Sequence, residues 1–396
     1  MARSIINPRR LDQPDWSAPE LSYLQLIKAR AAWPLHRSLP GYEPTPLRSL
    51  PGLAAELGLG AVLVKDEGPR FGIDAFKGLG ASFAMFTVMR QRWQESTGQE
   101  LTPSMFRDPQ VKATLGDLVF CAATDGNHGR AVAWTARMLG QRAVIYMPDD
   151  TVPSRIASIE GEGAEARLIA GTFDHCVQAC ARDAEANGWQ VIADTAYPGY
   201  MEIPGYIMTG YSTLFAEIAE QSDLAFDAVL LPAGVGGLAG AGSAFFVQEM
   251  GADRPRMICV EPEESACFLE SMAAGGNEPI AAAGNQQSLM AGLNCGLPSL
   301  LAWPVIRDAT DLFLAVADTY AVKAMQAYHR HGVESGESGA AALAGLLALM
   351  DAPELQDARD HLGLGNESRI LVVNTEAATD PENHRRVVAA AQEDPS

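Results

Sequence analysis

Short apolar runs rich in β-branched residues alternate along the chain with longer segments of helical periodicity. Short, continuous apolar runs are typical of strands that are buried on both faces of a sheet. The runs predict strands over Ala61–Lys65, Asp117–Cys121, Arg142–Met147, Ala166–Ile169, Val191–Ala193, Ala228–Leu231, Met257–Val260 and Ile370–Val373.

The segments between these strands predict helices. They cover Gly78–Glu95, Gly129–Leu139, Pro153–Glu160, Phe173–Asn187, Tyr206–Gln221, Leu238–Met250, Thr319–His331 and Gly339–Leu349. Because strands and helices alternate, we expect an α/β fold with parallel-rich sheets flanked by helices and right-handed crossovers. The stretch Ala273–Gln287 is rich in Gly, Ala, Asn and Gln and predicts a mobile surface loop. The acidic, proline-containing end Glu393–Ser396 predicts a frayed terminus.

Composition narrows the class of protein. The chain has 396 residues, a formal net charge of −20 and 47% hydrophobic residues, as in a globular protein of one large or two smaller domains. The acidic balance fits neither nucleic acid nor an anionic membrane surface as a partner, since both need a concentrated basic surface. No apolar run is long enough for a transmembrane helix, and Met1–Arg10 lacks the apolar core of a signal peptide.

The six cysteines do not form a metal-binding pattern. No CxxC occurs, and Cys176 and Cys180 are one helical turn apart without a second ligand pair, so no zinc site is predicted. We expect a cytoplasmic protein with mostly reduced thiols. A local bridge between Cys267 and Cys295, which both lie in a loop-rich stretch, stays open at this point.

Lys77 is a candidate nucleophile in the segment Asp74-Ala75-Phe76-Lys77-Gly78-Leu79-Gly80-Ala81-Ser82. Lysine is rarely buried, and desolvation lowers its pKa and makes the neutral amine available for a Schiff base. A helix N-terminus is also unfavourable for a cation, because the helix dipole is positive there. The alternative interpretation is a lysine that extends from a helix N-terminus into solvent.

A glycine-rich segment follows a predicted strand and begins a helix, with the sequence Leu231-Pro232-Ala233-Gly234-Val235-Gly236-Gly237-Leu238-Ala239-Gly240. Glycines allow backbone N–H groups to converge on a phosphate at a helix N-terminus. The pattern matches neither the dinucleotide fingerprint nor a P-loop, so it favours a small monophosphate. The alternative is a tight turn between strand and helix.

A third segment, Cys121-Ala122-Ala123-Thr124-Asp125-Gly126-Asn127-His128-Gly129, also lies between a strand and a helix. Thr124 can cap the helix, and the exposed N–H groups of its first turn can bind an anion. Taken alone, His128 is equally well interpreted as a structural histidine with satisfied hydrogen bonds.

These three segments, in this order, resemble the fold-type II family of pyridoxal-phosphate enzymes, which includes threonine dehydratase and tryptophan synthase β. Glu43-Pro44-Thr45-Pro46-Leu47 resembles the family's Thr-Pro-Leu segment, and Glu337–Gly345 resembles its Glu-Pro-x-Gly-Ala helix start. The resemblance implies pyridoxal 5′-phosphate as cofactor and Lys77 as the Schiff-base lysine. It implies a cofactor site formed by Phe76, Lys77, Asn127, Gly234, Val235, Gly236, Gly237, Leu238 and Thr375. In that site Asn127 contacts the pyridoxal 3′-oxygen, the glycine loop binds the phosphate, and the Thr375 hydroxyl is the candidate partner of the pyridine nitrogen.

The resemblance also implies how the chain is organised. A larger cofactor-binding domain would comprise residues 1–88 and 216–396, a smaller domain residues 89–215, with the cofactor between them and a homodimer as the assembly. The chain contains only five lysines. Four have ordinary structural contexts: Lys28 and Lys323 in amphipathic helices, Lys65 at a strand end next to Asp66, and Lys112 before a strand.

Within the family, four stretches resemble the diaminopropionate ammonia-lyases. They are Thr124–Arg130, Asp194–Tyr200, Met290–Gly296 and Asn374–Asp380. The resemblance implies elimination of ammonia from 2,3-diaminopropionate, D and/or L, to give pyruvate and ammonia, with Thr124, Asp125, His128 and Asp194 binding the substrate.

The carboxylates Asp125 and Asp194 offer charge pairing for the extra ammonium group of such a substrate, and each, like Lys77, is a candidate base toward Cα. The structural alternatives are a helix N-cap for Asp125 and a turn former for Asp194. The functional alternatives are a lyase for serine, threonine or another β-substituted amino acid, and a non-catalytic paralogue that binds pyridoxal phosphate.

Overall fold

The computed structural model describes residues 2–124 and 126–393, and their strands form two sheets. The strands are β1 (Arg3–Ile6), β2 (Leu47–Ser49), β3 (Ala61–Asp66), β4 (Val119–Ala123), β5 (Arg142–Pro148), β6 (Glu165–Ile169), β7 (Gln190–Val191), β8 (Ala228–Pro232), β9 (Arg256–Pro262), β10 (Leu312–Val316) and β11 (Arg369–Asn374). Each predicted strand is present with slightly different ends. The strands β1, β2 and β10 were not predicted.

Helices fill the intervals between the strands. The α-helices are α1 (Tyr23–Lys28), α2 (Trp33–Ser38), α3 (Pro51–Leu57), α4 (Lys77–Thr97), α5 (Pro109–Leu115), α6 (Asn127–Met138), α7 (Pro153–Gly161), α8 (Phe173–Asn187), α9 (Glu202–Gln221), α10 (Gly237–Met250), α11 (Cys267–Ala273), α12 (Ala302–Ala309), α13 (Asp318–Arg330), α14 (Ala341–Asp351), α15 (Gln356–Leu362) and α16 (Pro381–Glu393). Every predicted helix is present, and α8 has the predicted bounds. The shorter helices α1–α3, α5, α11, α12 and α15, and the terminal α16, were not predicted.

The larger sheet has the strand order β1-β10-β9-β8-β11-β3-β2. Its central strands are parallel, and only the edge strands β1 and β2 pair in the antiparallel direction. The last strand of the chain, β11, lies between β8 and β3, with Val372 opposite both Leu230 and Val64. Residues near both ends of the chain therefore meet at the carboxyl edge of one sheet, where α/β proteins bind ligands.

The smaller sheet has the order β6-β5-β4-β7, and all of its strands are parallel. It lies within residues 89–215, the segment predicted as the smaller domain, while the predicted domain boundaries fall inside α4 and α9. We propose that the two sheets mark the two predicted domains. The helices α4 and α6 pack against each other, as do α4 and α9.

The buried apolar residues that the structure describes form three clusters, one of which extends over both sheets and the helices between them. On one face of the larger sheet the small, fully buried residues Ala341, Ala342 and Ala344 of α14 allow this helix to pack closely on the central strands. The apolar residues of the long helices α4, α9 and α10 belong to the cluster that extends over both sheets. The apolar residues of α6 belong to it as well. None of the helices in the described part of the chain is both long enough and apolar enough to span a membrane.

The setting of Lys65 differs from the prediction of an ordinary strand end. Its side chain is completely buried, and Nζ donates to Glu217 Oε2 at 2.7 Å and to the Thr45 carbonyl oxygen at 2.7 Å. Arg70 Nη2 donates to the same Glu217 oxygen at 2.7 Å and to Glu67 Oε1 at 2.8 Å. We call Lys65, Glu67, Arg70 and Glu217 the buried charge cluster. Buried ions must be paired, which is why these four side chains occur together.

Candidate active site

Lys77 is the first residue of α4, and the segment before it is fixed by two neighbours. The Phe76 N–H donates to the Thr375 carbonyl oxygen at 3.2 Å, and Ala75 forms a β-bridge with Glu376, just beyond β11. From α6, Arg130 Nη1 donates to Asp74 Oδ2 at 2.8 Å. Asp74 has a positive φ of 60°, a conformation that costs free energy in a non-glycine residue. These contacts place Lys77 at the carboxyl edge of β11 and beside the smaller sheet.

The Lys77 ammonium group forms an ion pair with Asp194, whose segment follows β7. Lys77 Nζ and Asp194 Oδ2 are 2.6 Å apart, and both side chains retain about a fifth of their exposure. Burial alone would lower the pKa of Lys77, but the Asp194 carboxylate outweighs it and raises this pKa above its usual value. Burial would raise the pKa of Asp194, yet Lys77 and His128 lower it well below its usual range. In the free protein the pair is therefore charged, and the prediction of a lowered lysine pKa was wrong.

His128 and Asn127, from the first turn of α6, lie on the other side of this pair. His128 Nε2 is 2.7 Å from the Ile192 carbonyl oxygen, so this nitrogen carries the proton of the neutral ring. His128 Nδ1 has no hydrogen-bond partner among the described residues and is 3.9 Å from Asp194 Oδ2. Burial and the nearby Lys77 cation lower the pKa of His128, which keeps Nδ1 free as an acceptor. The Asn127 side-chain amide donates to Glu376 Oε2.

The glycine-rich segment forms a concave backbone surface where β8 ends and α10 begins. Gly236 has a φ of 92°, and a Cβ atom there would lie 2.4 Å from Phe268 Cζ, so only glycine fits. The surface is supported from outside by the Ser299 N–H, which donates to the Val235 carbonyl oxygen at 3.0 Å. We call Gly234–Leu238 the glycine cradle. Its backbone N–H groups lie at the N-terminus of α10, where the positive end of the helix dipole favours an anion.

Tyr211 of α9 lies between the cradle and Lys77. Its ring is 4.7 Å from the Phe76 ring, and its centroid is 6.0 Å from Lys77 Nζ. A Cβ atom built on Gly237 would be 3.3 Å from Tyr211 Cε2. The ring is buried, and its hydroxyl has no hydrogen-bond partner among the described residues. The cradle and the lysine amine therefore belong to one site.

The Ser299 side chain couples this site to the Asp194 segment. Ser299 is buried, and its Oγ accepts from the Ala196 N–H at 3.0 Å while its backbone binds the cradle. Tyr200 completes the segment, because its hydroxyl donates to the Val191 carbonyl oxygen at 3.0 Å and accepts from the Ala193 N–H at 3.0 Å. Asp194 therefore extends from a segment fixed at both ends.

The sequence profile of the family described as "Pyridoxal-phosphate dependent enzyme" matches residues 39–376, which include every site residue described above. The chain belongs to this family. The membership confirms the fold-type II resemblance and pyridoxal phosphate as the cofactor.

Several proteins of known function are similar to this pyridoxal-phosphate enzyme over most of their length. The diaminopropionate ammonia-lyase of Salmonella typhimurium is 38% identical over 89% of this chain and 90% of its own. That of Escherichia coli strain K12 is 36% identical over 91% of both chains. A crystal structure of the holo diaminopropionate ammonia-lyase from Escherichia coli matches with a TM-score of 0.87 and 33% identity, covering 99% of this chain and 97% of the other. These likenesses confirm the predicted fold class.

The residues present fit pyridoxal phosphate. The glycine cradle offers backbone N–H groups and no side-chain charge, as a phosphate monoester at a helix N-terminus requires. The Lys77 amine lies near the Tyr211 ring, which also lies next to Gly237 of the cradle. His128 Nδ1 and the Tyr211 hydroxyl are buried polar atoms without partners among the described residues, and buried polar atoms normally have one.

The structure brings most of the predicted site residues together. Thr124 is buried and its Oγ1 accepts from the Gly126 N–H at 3.2 Å, in the turn before α6. Thr375 is buried beside Phe76, and its hydroxyl is 3.4 Å from the Ser338 carbonyl oxygen. Asp125 lies outside the described residues. The roles predicted for these residues stay predictions.

Cys267 and Cys295, whose pairing was open, form no disulfide, and neither do the other four cysteines of the described residues. Cys267 Sγ is 3.8 Å from the Gly234 carbonyl oxygen, and Cys295 Sγ would lie 2.9 Å from a Cβ atom at Gly234. Both therefore pack against the cradle.

Tyr211, Ser299 and Glu376 contribute to the site but were not predicted. Tyr211 occurs in an apolar helix where an aromatic residue indicates only core packing, and Ser299 has no motif. Glu376 did carry a signal, since it follows a buried strand at the edge where parallel sheets place their ligands.

Proposed function

We propose that the chain is a pyridoxal-phosphate-dependent ammonia-lyase that converts 2,3-diaminopropionate and water to pyruvate and two molecules of ammonia. The observation that carries this proposal is the Asp194 carboxylate, 2.6 Å from the Lys77 amine and facing an unpartnered His128 nitrogen. A substrate with two ammonium groups needs more negative charge than a substrate with one. The similarity to two diaminopropionate ammonia-lyases over about nine-tenths of the chain supports the same substrate.

The residues of the chain divide substrate binding between them. The N-terminus of α6, with Thr124 before it, is suited to the substrate carboxylate because a helix N-terminus favours an anion. Asp194 pairs with a substrate ammonium group, and His128 Nδ1 can accept from the same group. Asp125 is proposed as a second carboxylate from its motif alone.

Proton transfer at Cα falls to Lys77, Asp194 or Asp125. When bound, pyridoxal phosphate supplies an electron-withdrawing ring that stabilises negative charge at Cα. The low pKa of Asp194 in the free protein depends on the Lys77 cation. Once the lysine is engaged elsewhere, burial dominates and the pKa of Asp194 rises, which makes it a stronger base.

The test is to measure both products from the same reaction. The holoenzyme is given D- or L-2,3-diaminopropionate, and pyruvate and ammonia are quantified by separate coupled assays. We expect two ammonia molecules for each pyruvate with at least one isomer. Serine or threonine would release one ammonia for each keto acid, so the ratio identifies the substrate that is consumed.

Relative kcat/KM values separate the alternatives. We expect diaminopropionate to exceed serine and threonine by at least about tenfold, because a site built for a charged group loses that interaction with a hydroxyl. An equal or higher value for serine, threonine or another β-substituted amino acid would assign that substrate class. If the cofactor binds but no amino acid is turned over, the protein is a non-catalytic paralogue.

A homodimer and a cytoplasmic location belong to the same proposal. The family resemblance supports the dimer, and light scattering should then give about twice the chain mass of 42.2 kDa. The absence of a disulfide among the six cysteines of the described residues supports a reducing compartment.

A further inference from the structure

Glu376 places a buried carboxyl group between the start of α6 and the start of α14. Its side chain is 6% exposed. Oε2 accepts from the Asn127 side-chain amide, and Oε1 accepts from the Ser338 N–H at 3.1 Å. The two carboxyl oxygens therefore accept from different parts of the fold. The donor to Oε2 belongs to α6, which packs on the smaller sheet, and the donor to Oε1 precedes α14, which packs on the larger sheet.

The surrounding backbone leaves room for this carboxyl group. A Cβ atom on Gly336 would lie 2.7 Å from Glu376 Oε1, so any larger residue at position 336 would displace the carboxyl group. No lysine or arginine among the described residues forms an ion pair with Glu376. Burial, and next the nearby Glu337, raise the pKa of Glu376, against the hydrogen bonds from Asn127 and from the Gly339 and Ser338 N–H groups. A buried acid without a cation costs stability, which points to a function.

We propose that Glu376 is a positioning residue that fixes which face of the Asn127 amide is turned toward the cofactor. A carboxylate only accepts hydrogen bonds, so it engages one N–H of the Asn127 –NH2 group and keeps this group, rather than the amide oxygen, in place. The second N–H of the same group can then donate to the pyridoxal 3′-oxygen, which an amide oxygen could not do. The inference rests on the proposed function and on the family resemblance, which implies that Asn127 contacts the pyridoxal 3′-oxygen. Glu376 itself acts through Asn127.

The variant Glu376→Gln tests this assignment because it keeps the shape of the side chain, replaces one acceptor oxygen with an N–H donor and removes the charge. The Ser338 N–H is fixed by the backbone and keeps the carbonyl oxygen of the introduced amide as its acceptor. The –NH2 group of the introduced amide then faces Asn127, whose own amide must turn over to present its oxygen. We expect kcat to fall about 10- to 100-fold, as when partners of ligand-binding residues are removed elsewhere.

Two readouts separate positioning from a merely structural role. The absorption band of the bound cofactor, recorded without substrate, should shift in Glu376→Gln, while the cofactor remains bound at one per chain because Lys77 and the cradle are unchanged. Adding Asn127→Asp should restore the donor–acceptor match between positions 127 and 376. The double variant should therefore be no less active than Asn127→Asp alone.

The matched control is Glu337→Gln, which removes the same charge from a neighbouring carboxyl group that bonds Asn383 instead. It should keep the absorption band and the kcat of the unmodified enzyme.

An unshifted band with kcat within twofold in Glu376→Gln would overturn the proposal, as would loss of cofactor or of the folded state. The absorption band is recorded without substrate, so it tests the role of Glu376 independently of turnover. A failure to turn over diaminopropionate would refute the proposed function but not this inference.

Discussion

Asp194 sets the charge of Lys77 in the free protein. Sequence reasoning predicted a desolvated, neutral lysine, and burial does act in that direction. A carboxylate at 2.6 Å reverses the outcome, because an opposite charge in a poorly solvated site favours the charged amine. The free amine thus has a counter-ion, and the carboxylate gains basicity only when the lysine is engaged elsewhere.

Replacing Asp194 by Asn should lower the pKa of Lys77 and reduce kcat/KM for diaminopropionate by about 10²- to 10⁴-fold, the usual contribution of general acid–base catalysis. Steady-state kinetics with each isomer measure this effect. Asp117→Asn, at an exposed residue paired with Lys112, serves as the control and should change nothing. Full activity of Asp194→Asn with both isomers would exclude Asp194 from the reaction.

At the scale of elements, the junction between β8 and α10 forms the cradle through one conformation at Gly236. Alanine there would have to adopt a φ of 92° and would clash with Phe268. We expect Gly236→Ala to weaken cofactor binding at least about tenfold, since the clash displaces N–H groups that a phosphate needs. Equilibrium dialysis against pyridoxal phosphate measures the affinity.

Gly140→Ala provides the matched control. Gly140 also has a positive φ, of 67°, but a Cβ atom there meets no neighbour within 4 Å. Both variants carry the strain of a left-handed alanine, about 1 kcal/mol or more, and only one disturbs the cradle. Equal losses of cofactor affinity in the two variants would show that the cradle geometry is not responsible.

Motifs and periodicity could predict those parts of the fold and site that depend on neighbouring residues. The β8–cradle–α10 junction and the α8 helix are local patterns. In contrast, β1 and β2 are short edge strands whose partners are distant in the chain, as in Arg3 opposite Ala315. The apolar run of β10 is as compatible with a buried helix as with a strand. Asn127 and Glu376 are separated by 249 positions, and no local pattern indicates such a contact.

At the scale of the whole molecule, the buried charge cluster joins β3, the turn after it and α9 behind the active site. Glu217 accepts from both Lys65 and Arg70. Glu217→Gln should lower the free energy of unfolding by about 3–5 kcal/mol, because it leaves two buried cations with one carboxylate. Urea denaturation measures this loss.

The control is Glu220→Gln, three residues further along α9. Glu220 pairs with Arg37 on the surface, where both side chains are about half exposed. An exposed pair contributes about 0–1 kcal/mol, so this variant should be close to the unmodified protein. Similar losses at positions 217 and 220 would contradict the importance of burial.

His36 connects α2 to α4 and α9 and should make the stability of the molecule depend on pH. Its Nε2–H donates to the Leu79 carbonyl oxygen at 3.0 Å, and Nδ1 accepts from the Thr213 hydroxyl at 2.7 Å. Burial, with the Arg70 cation, lowers the pKa of His36 from 6.5 to about 3. Between these values the unfolded chain binds a proton that the folded protein excludes, so the free energy of unfolding falls as the pH falls.

The contribution of His36 should approach about 1.4 kcal/mol per pH unit between about pH 6 and 4. It is obtained from urea denaturation at several pH values, as the difference in slope between the unmodified protein and His36→Gln. Gln cannot be protonated, so the variant should lose this part of the acid sensitivity even if it is less stable at every pH. His361→Gln, on the exposed surface of α15, should keep the full slope. An unchanged slope in His36→Gln would mean that carboxylates such as those of the buried charge cluster, rather than this histidine, cause the acid sensitivity.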